Sequence, residues 1–311
     1  MDGNVVKPRY VCPADHATLL ASSGGLSCTL CSTFYPVVNG VPVLINDGNS
    51  VFRRADFAGD AAYQGASGYG GAADKTSGLR RAYRSFARKL SEAPVPSDGG
   101  IERIRTMLEA DPARKVLIIG AGERQSGPNA VRTDVAFAAG VDCICDSHDL
   151  PFEDGAFDIV FAESVLEHVC DPQRCVAEIT RVLAPDGRVM AVTPFLQPVH
   201  MGAYDFTRFT YLGHRRLFRM YDDLGSGLCG GPGYSLIHIM RNSVTGITDN
   251  RRIKSILKLA MLLITYPLRY ADRLLMRTES SYNAGCAFYF CGQKRATAIP
   301  DREILKSFRG Q

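Results

Sequence analysis

The stretch that decides the fold is DSHDLPFEDGAFDIVFAESVLEHVCDPQRCVAEITRVLAPDG, residues 146–187. Within it, the apolar run at 157–162 predicts a buried strand, and residues 171–183 carry apolar side chains such as Val176 and Ile179 at helical spacing. Further apolar runs of strand length lie at 115–119, 130–135, 142–145, 188–193 and 286–291. Because strands alternate with helices, the pattern predicts an α/β fold built on a doubly wound, mostly parallel sheet.

The bulk composition is that of a globular chain. Its 311 residues are 46% hydrophobic and 22% charged, with a formal net charge of +4, and the length suits one large and one small domain. Lys and Arg are spread along the chain, which disfavours nucleic acid as a partner. The ten cysteines lie mostly in apolar runs and residues 1–10 have no apolar core, so we expect reduced thiols and a cytoplasmic protein.

Three predicted strand ends carry groups suited to ligand binding. The first strand runs into Gly120-Ala121-Gly122, where glycine allows close approach of the backbone to a ligand. Asp134 ends the second strand and Asp146 follows the third. Taken singly, these features have ordinary explanations, namely a tight turn and two solvated carboxylates. Their order along one sheet edge, where doubly wound folds bind ligands, indicates a binding site.

The same motifs resemble the Rossmann-like methyltransferases that use S-adenosyl-L-methionine. The resemblance rests on VLIIGAG at 116–122, TDV at 133–135, and the D-x-x-x-LPF, LEHV and RVL-x-P-x-G motifs within 146–187. It implies a glycine loop at the methionine part of the cofactor, one acid at the ribose and another at the adenine. The residues that the resemblance assigns to the cofactor are Gly120, Ala121, Gly122, Asp134, Asp146, Leu150, Glu163 and His168.

The segment after the fifth predicted strand, PFLQPVHMGAYDFTRF at 194–209, is the candidate acceptor side. In this fold it faces the transferable methyl group, which makes His200 and Arg208 candidate catalytic residues. His200 suits a general base because imidazole titrates near neutrality. The alternative is structural: His200 lies on the surface, and Asp205 caps a helix and pairs with Arg208.

Residues 1–47 predict a small β-rich module. Cys12 and the C-x-x-C pair Cys28 and Cys31 precede short β-branched runs broken at Asn39-Gly40. This pattern resembles the zinc-ribbon family that activates tRNA and protein methyltransferases. The resemblance implies a zinc ion held by the three thiolates and by either Asp15 or His16. A ribbon that has lost its metal and a redox-active C-x-x-C are the alternatives.

Two other regions complete the predicted organisation. Residues 48–100, rich in Gly, Ala, Asp and Ser, predict a linker with a basic helix at 80–90, and 101–311 form the methyltransferase domain. A helical insertion at 240–280 precedes the last strand. Its segment 251–277 is basic and amphipathic with a kink at Pro267, which suits either peripheral membrane contact or packing on the sheet.

The leading hypothesis is methyl transfer to a small-molecule, glycan or lipid-like acceptor. A non-catalytic scaffold that binds partners through the ribbon is the alternative from another class. A nicotinamide dehydrogenase is disfavoured because Arg124 stands where its third glycine is usual. The glycine-rich segment 225–235 lacks the Lys-Ser/Thr pair of a phosphate loop and predicts a turn after a strand.

Overall fold

The computed structural model describes residues 9–57, 99–111, 113–122, 127 and 129–310. In chain order its strands are β1 (Leu19–Ser22), β2 (Gly25–Cys28), β3 (Phe34–Val38), β4 (Val41–Leu44), β5 (Val116–Ile119), β6 (Ala130–Asp134), β7 (Cys143–Cys145), β8 (Phe157–Glu163), β9 (Leu183–Pro194), β10 (Tyr221–Leu228) and β11 (Ala287–Lys294). The α-helices of the described residues are α1 (Gly100–Glu109), α2 (Pro172–Val182), α3 (Tyr211–Leu217), α4 (Pro232–Thr245), α5 (Arg251–Thr265), α6 (Leu268–Leu275) and α7 (Asp301–Ile304).

The described strands form one sheet in the order β1-β2-β3-β4-β7-β6-β5-β8-β9-β11-β10. From β4 to β9 all neighbours are parallel, whereas β11 runs antiparallel between β9 and β10. The winding reverses at β5, which has β6 on one side and β8 on the other. This is the switch point at which doubly wound sheets bind ligands, and the predicted fold class is confirmed.

Helices cover both faces of the parallel sheet. On one face α1 buries Ile101, Ile104 and Leu108 against a cluster that includes Ile118 of β5. On the other face α2 packs against Leu117. Alternate residues of one strand therefore point into two separate apolar layers, which explains why β5 is apolar throughout rather than alternating.

The start of α2 is fixed by its sequence. Asp171 precedes the helix, and its carboxylate accepts the backbone N–H of Arg174 at 3.0 Å. Pro172 occupies the first turn, where its missing N–H needs no partner. The observed helix lies within one residue of the predicted one at each end.

The N-terminal module is continuous with the main sheet. Strands β1 to β4 form an antiparallel meander whose last turn places Asn39 and Gly40 at φ of 51° and 80°, as a tight hairpin requires. Strand β4 then pairs in parallel with β7, Val43 lying opposite Ile144. The module predicted at 1–47 therefore supplies the edge of the sheet that would otherwise begin at β7.

The predicted linker at 48–100 is wrong in its first ten residues. Phe52 and Phe57 are buried, and a short 3₁₀ turn covers Arg54–Phe57. These two rings join an apolar cluster with residues of β4 and β7. Residues 58–98, which contain the predicted basic helix, lie outside the described residues.

The C-terminal half holds one strand that the sequence analysis missed. Strand β10 includes Gly225 and is paired with β11, so the predicted turn at 225–235 shrinks to residues 229–231 before α4. The predicted helical insertion corresponds to α4, α5 and α6, with the expected break at Pro267. None of the helices in the described ranges is long and apolar enough to cross a bilayer.

Candidate active site

A pocket opens at the carboxyl ends of the central strands. Its lining combines backbone from the glycine loop, buried carboxylates, a wall that follows β8, and side chains from outside the sheet. The principal lining residues are Val51, Phe52, Gly120, Thr133, Asp134, Asp146, His148, Val165, His168, Val169, Cys170 and Tyr204.

The glycine loop needs its first glycine for two reasons. Gly120 has a φ of +64°, which favours glycine, and a Cβ there would lie 2.6 Å from Cγ2 of Val165. The loop is then tied to the neighbouring strand, since the N–H of Ala121 donates to the carbonyl of Thr133 at 3.0 Å. The N–H of Gly122 donates to Asp134 Oδ2 at 2.9 Å. The loop backbone therefore lies beside the pocket in a fixed geometry.

Asp134 closes the pocket at the end of β6. Its Oδ1 also accepts the N–H of Ala136 at 3.0 Å, and the side chain is buried. Burial raises the pKa of Asp134, although the N–H groups of Gly122 and Ala136 lower it in part. A buried carboxylate with free lone pairs at a pocket wall suits hydroxyl donors of a ligand.

Asp146 lies at the end of β7 in a dense hydrogen-bond network. Its Oδ1 is 2.6 Å from Nδ1 of His148 and its Oδ2 accepts the hydroxyl of Ser50 at 2.5 Å. Burial acts to raise the pKa of Asp146, but the bonds from His148 and Ser50 outweigh it and the pKa is lowered. The N–H of Asp171 donates to Nε2 of His148, so the proton of that ring lies on Nδ1 and points to Asp146.

Residues 46–57 lie along one side of the pocket, where Val51 and Phe52 line it, and the sequence did not predict this contact. The side-chain amides of Asn46 and Asn49 both donate to Oδ2 of Asp149, at 3.0 and 3.2 Å. The ring of Phe52 stacks on Tyr204 with centroids 5.5 Å apart. The signal available in the sequence was slight: two apolar residues, 51 and 52, interrupt a polar stretch.

Four of the residues assigned to the cofactor are not among those that line the pocket, namely Ala121, Gly122, Leu150 and Glu163. Leu150 is fully buried in the apolar core, and its N–H donates to Oε2 of Glu178. Glu163 pairs with Arg105 of α1 at 2.9 Å, which draws its carboxylate toward that helix. The assignment of Leu150 and Glu163 to the cofactor therefore stays a prediction. Arg124, noted for replacing a glycine, lies outside the described residues.

Arg208 and Asp205 organise the candidate acceptor side, residues 194–209, which is called the acceptor loop below. The guanidinium of Arg208 donates to both carboxylate oxygens of Asp205 and to the carbonyls of Gln197 and Pro198. Although burial acts to raise it, the hydrogen bonds from Arg208 and from the N–H of His200 hold the pKa of Asp205 to about 2. Asp205 does not cap a helix; Thr210 caps α3 through the N–H of Gly213.

His200 and His168 bring the acceptor loop against the pocket wall. Their rings meet edge to face with centroids 4.8 Å apart. The carboxylate of Glu167 lies between them, with Oε1 3.7 Å from Nε2 of His168 and 4.0 Å from Nε2 of His200. Burial raises the pKa of Glu167 to about 7. Glu167 belongs to the LEHV motif, but the sequence alone gave no reason to choose it as a site residue.

The thiols of the N-terminal module also converge. Ligand atoms of Cys12, Asp15, Cys28 and Cys31 lie within 4.8 Å of one another, and His16 is not among them. The Sγ atoms of Cys12 and Cys31 are 3.7 Å apart, close to the roughly 3.8 Å edge of a tetrahedron of thiolates around zinc. The N–H groups of Leu30 and Cys31 donate to Sγ of Cys28, and this Sγ lies 3.4 Å from both carboxylate oxygens of Asp15. This donor set fits a zinc ion.

Comparison with known proteins identifies the domain. The family model described as "Methyltransferase domain" matches residues 122–191. A tocopherol O-methyltransferase of Arabidopsis thaliana is 46% identical over 50 residues, 16% of this chain and 14% of that protein. A ubiquinone/menaquinone biosynthesis C-methyltransferase of Ralstonia nicotianae is 28% identical over 170 residues, 45% of this chain and 70% of that protein. The chain contains a Rossmann-like, S-adenosylmethionine-dependent methyltransferase domain, as predicted.

Among solved structures, one match is a putative sarcosine dimethylglycine methyltransferase from Galdieria sulphuraria. It has 14% sequence identity and a TM-score of 0.40, over 70% of this chain and 88% of that one. The chain matches only 14% of the length of the tocopherol enzyme. It matches 24% of the length of another relative, an uncharacterized 37.1 kDa protein of Streptomyces fradiae, at 36% identity.

Proposed function

We propose that the chain transfers the methyl group of S-adenosyl-L-methionine to a small-molecule, glycan or lipid-like acceptor. The observation that carries the proposal is the pocket at the switch point, where a glycine loop and two buried carboxylates converge. The loop at Gly120 would hold the methionine part of the cofactor. Asp134 would accept the ribose hydroxyls, and Asp146 would lie beside the adenine.

The chemistry asks little of the protein beyond positioning. The cofactor supplies a sulfonium methyl group, whose leaving group is already activated. The chain then has to hold donor and acceptor in line and exclude misaligned approaches, which is where most of the rate enhancement would arise. His168 lines the pocket and contacts the ring of His200, so the acceptor loop lies at the mouth of this pocket.

Calorimetric titration with S-adenosylmethionine tests the cofactor assignment. Asp134→Ala and Asp146→Ala should each weaken binding by about 1–3 kcal/mol, the scale of losing a charge-assisted hydrogen bond. Asp186→Ala is the matched control, because Asp186 is exposed at the start of β9, far from the strand ends that line the pocket. If both pocket variants bind like the parent chain, the strand-end assignment fails.

The same titration separates the alternative functions. A dehydrogenase would bind NAD in preference to S-adenosylmethionine, and a non-catalytic scaffold would bind neither. A methyltransferase should also bind the demethylated product. Mass spectrometry of methylated products from cells with and without the protein would then identify the acceptor.

A lipid-like acceptor is favoured by the surface of the helical insertion. Ile256 and Leu274 are 69% and 67% exposed, and Leu263 and Ile264 are also exposed on α5. Exposed cations flank these side chains on the same helices and at their ends: Arg251, Arg252, Lys258, Arg273 and Arg277. An exposed apolar face bordered by cations complements an anionic bilayer surface. Two relatives are named for tocopherol and for ubiquinone and menaquinone, which are lipid-soluble molecules.

The N-terminal ribbon would act in support of this domain. We propose that it holds one zinc ion through Cys12, Asp15, Cys28 and Cys31, and that the metal fixes the meander whose last strand joins β7. All ten cysteines are free thiols in the structure, which is consistent with a reducing compartment such as the cytoplasm.

A further inference from the structure

A buried carboxylate without hydrogen-bond donors lies at the rim of the pocket. The side chain of Glu167 is 1% exposed, and neither of its oxygens accepts a hydrogen bond from any described residue. Its backbone is held in place, since the N–H groups of Phe206 and Thr207 both donate to its carbonyl. A buried charge left in this state is costly and calls for a compensating group.

The Nε2 atom of His168 faces the carboxylate of Glu167, and this nitrogen carries a lone pair. Its Nδ1 lies 2.7 Å from the carbonyl oxygen of Tyr204, which can only accept a hydrogen bond. The proton of the neutral ring therefore lies on Nδ1, and Nε2 carries the lone pair. That atom is 3.7 Å from Oε1 of Glu167.

His200 repeats the arrangement from the acceptor loop. Its Nδ1 lies 3.4 Å from Oδ2 of Asp205 and 3.4 Å from the carbonyl oxygen of Pro198. Both neighbours are acceptors, so Nδ1 carries the proton here as well. Its Nε2 points to the same Oε1 of Glu167, at 4.0 Å. A carbonyl or carboxylate on Nδ1 is the arrangement that orients histidine ligands of metals.

We propose that Glu167, His168 and His200 bind a divalent transition-metal ion at the mouth of the cofactor pocket. Two imidazoles and one carboxylate suit zinc, iron or manganese, and they leave coordination positions open. The three ligand atoms already lie within 4.8 Å of one another. Ligands about 2.1 Å from an ion lie roughly 3.0–3.4 Å apart, so an inward shift on the order of 1 Å completes the site. His200 lies on an exposed loop and can make that shift.

The open positions define the class of acceptor, an inference that rests on the proposed function. A phenol or enol oxygen bound to the ion would lose its proton to solvent near neutral pH, because the metal lowers the pKa of a coordinated hydroxyl. The oxygen then uses an electron pair to form the bond to the methyl carbon. The carbon–sulfur bond breaks and its electrons remain on sulfur. In this scheme His200 is a metal ligand instead of the general base expected from the sequence.

Cobalt titration of the full-length, chelator-stripped protein tests the site. Visible spectra separate two kinds of bound Co²⁺, because thiolate ligands in the ribbon add a charge-transfer band that a His₂Glu site lacks. We expect the parent chain to bind two equivalents of Co²⁺. One, at the ribbon, shows the charge-transfer band, and the other, at the His₂Glu site, does not. Glu167→Gln and His200→Asn should each lose this equivalent and keep the thiolate-ligated one. The exposed Glu153→Gln is the control and should bind as the parent does.

The outcomes decide the proposal independently of catalysis. Glu167→Gln removes a buried charge in nearly the same shape, so its melting temperature should not fall, and His200→Asn changes an exposed residue. The proposal is overturned if the parent binds cobalt only through thiolates, or if Glu167→Gln retains the non-thiolate equivalent. Titration with S-adenosylmethionine is run in parallel. Failure to bind S-adenosylmethionine would reject the proposed function. The number of bound cobalt ions would still decide whether the metal site exists.

Discussion

The hydroxyl of Ser50 donates a 2.5 Å hydrogen bond to Oδ2 of Asp146, a residue 96 positions further along the chain. This bond joins the segment after the N-terminal meander to the end of β7 inside the pocket. Asp149, three residues beyond Asp146, is bound in the same way by the amides of Asn46 and Asn49. The N-terminal segment is therefore part of the candidate cofactor site and not a tether to it.

Loss of the Ser50 hydroxyl should weaken cofactor binding. We expect Ser50→Ala to raise the dissociation constant for S-adenosylmethionine about fivefold, the equivalent of about 1 kcal/mol for one buried hydrogen bond. Calorimetry gives the value. Ser27→Ala is the control, since the Ser27 hydroxyl bonds to Ser22 on the exposed meander. Equal losses in both variants, or in neither, would show that the segment does not contribute to the site.

The acceptor loop should control turnover without affecting the cofactor. His200→Ala and Arg208→Ala are expected to leave the affinity for S-adenosylmethionine nearly unchanged and to lower turnover roughly a hundredfold. Arg208→Ala should also lower the melting temperature, because this guanidinium donates to three carbonyls and to the carboxylate of Asp205. Steady-state kinetics with the acceptor found by mass spectrometry measures turnover. If a variant loses cofactor binding while its melting temperature stays normal, the loop belongs to the cofactor pocket and not to the acceptor side.

The ribbon should carry one zinc ion per chain. Metal analysis of Glu167→Gln protein purified without added zinc counts the ribbon alone, since the second candidate site is removed. Cys31→Ser should reduce the count to near zero. Cys170→Ser changes an exposed thiol outside the cluster and should leave it unchanged. A metal-free but folded ribbon in the Glu167→Gln protein would contradict the prediction.

The helical insertion should bind anionic membranes. Co-sedimentation with vesicles containing phosphatidylserine should recover the protein, and vesicles of phosphatidylcholine alone should recover much less, because exposed cations flank the apolar face. The double variant Ile256→Asp, Leu274→Asp should lose vesicle binding. Leu305→Asp is the control, as Leu305 is 63% exposed but lies outside the insertion. Similar binding by both variants would assign the interaction to another surface.

His214 should make the fold sensitive to acid. Burial, with a smaller contribution from the charge of Arg215, lowers the pKa of His214 to about 3. The unfolded chain takes up a proton near pH 6.5, and the folded chain does not. Stability is therefore full above that value and falls as the pH drops below it, by about 1.4 kcal/mol between pH 7.5 and 5.5. Urea unfolding at the two pH values measures this loss.

His214→Phe provides the comparison for that experiment. The ring of His214 packs edge to face against Phe218, so phenylalanine keeps the apolar contact and removes the titrating group. The variant should show a loss of stability smaller by about the same 1.4 kcal/mol over this pH range. An unchanged pH dependence would mean that other groups dominate the acid response.

The sequence predicted the elements that depend on local patterns, and it did not predict contacts between residues that lie far apart in the chain. Strand β8 is a largely apolar run, and helix α2 has apolar residues at helical spacing after the cap Asp171. Both were predicted to within about one residue. Strand β10 was missed because residues 222–227, DDLGSG, have no continuous apolar run, so its pairing with β11 is visible only in three dimensions. The ion pair of Glu163 could not be predicted, because its partner Arg105 lies 58 residues away on another element. Ser50 gave no local signal at all, since its role depends on a contact across 96 residues.

The pairing of β4 with β7 has a consequence for how the protein can be cut or produced. An unpaired β7 would present bare N–H and carbonyl groups, which other chains can use to extend a sheet and aggregate. A covering strand on the same polypeptide cannot dissociate on dilution, as a separate protein could. Residues 99–311 expressed alone should therefore self-associate through the exposed edge of β7. In the full chain, the N-terminal module covers that edge and prevents this association.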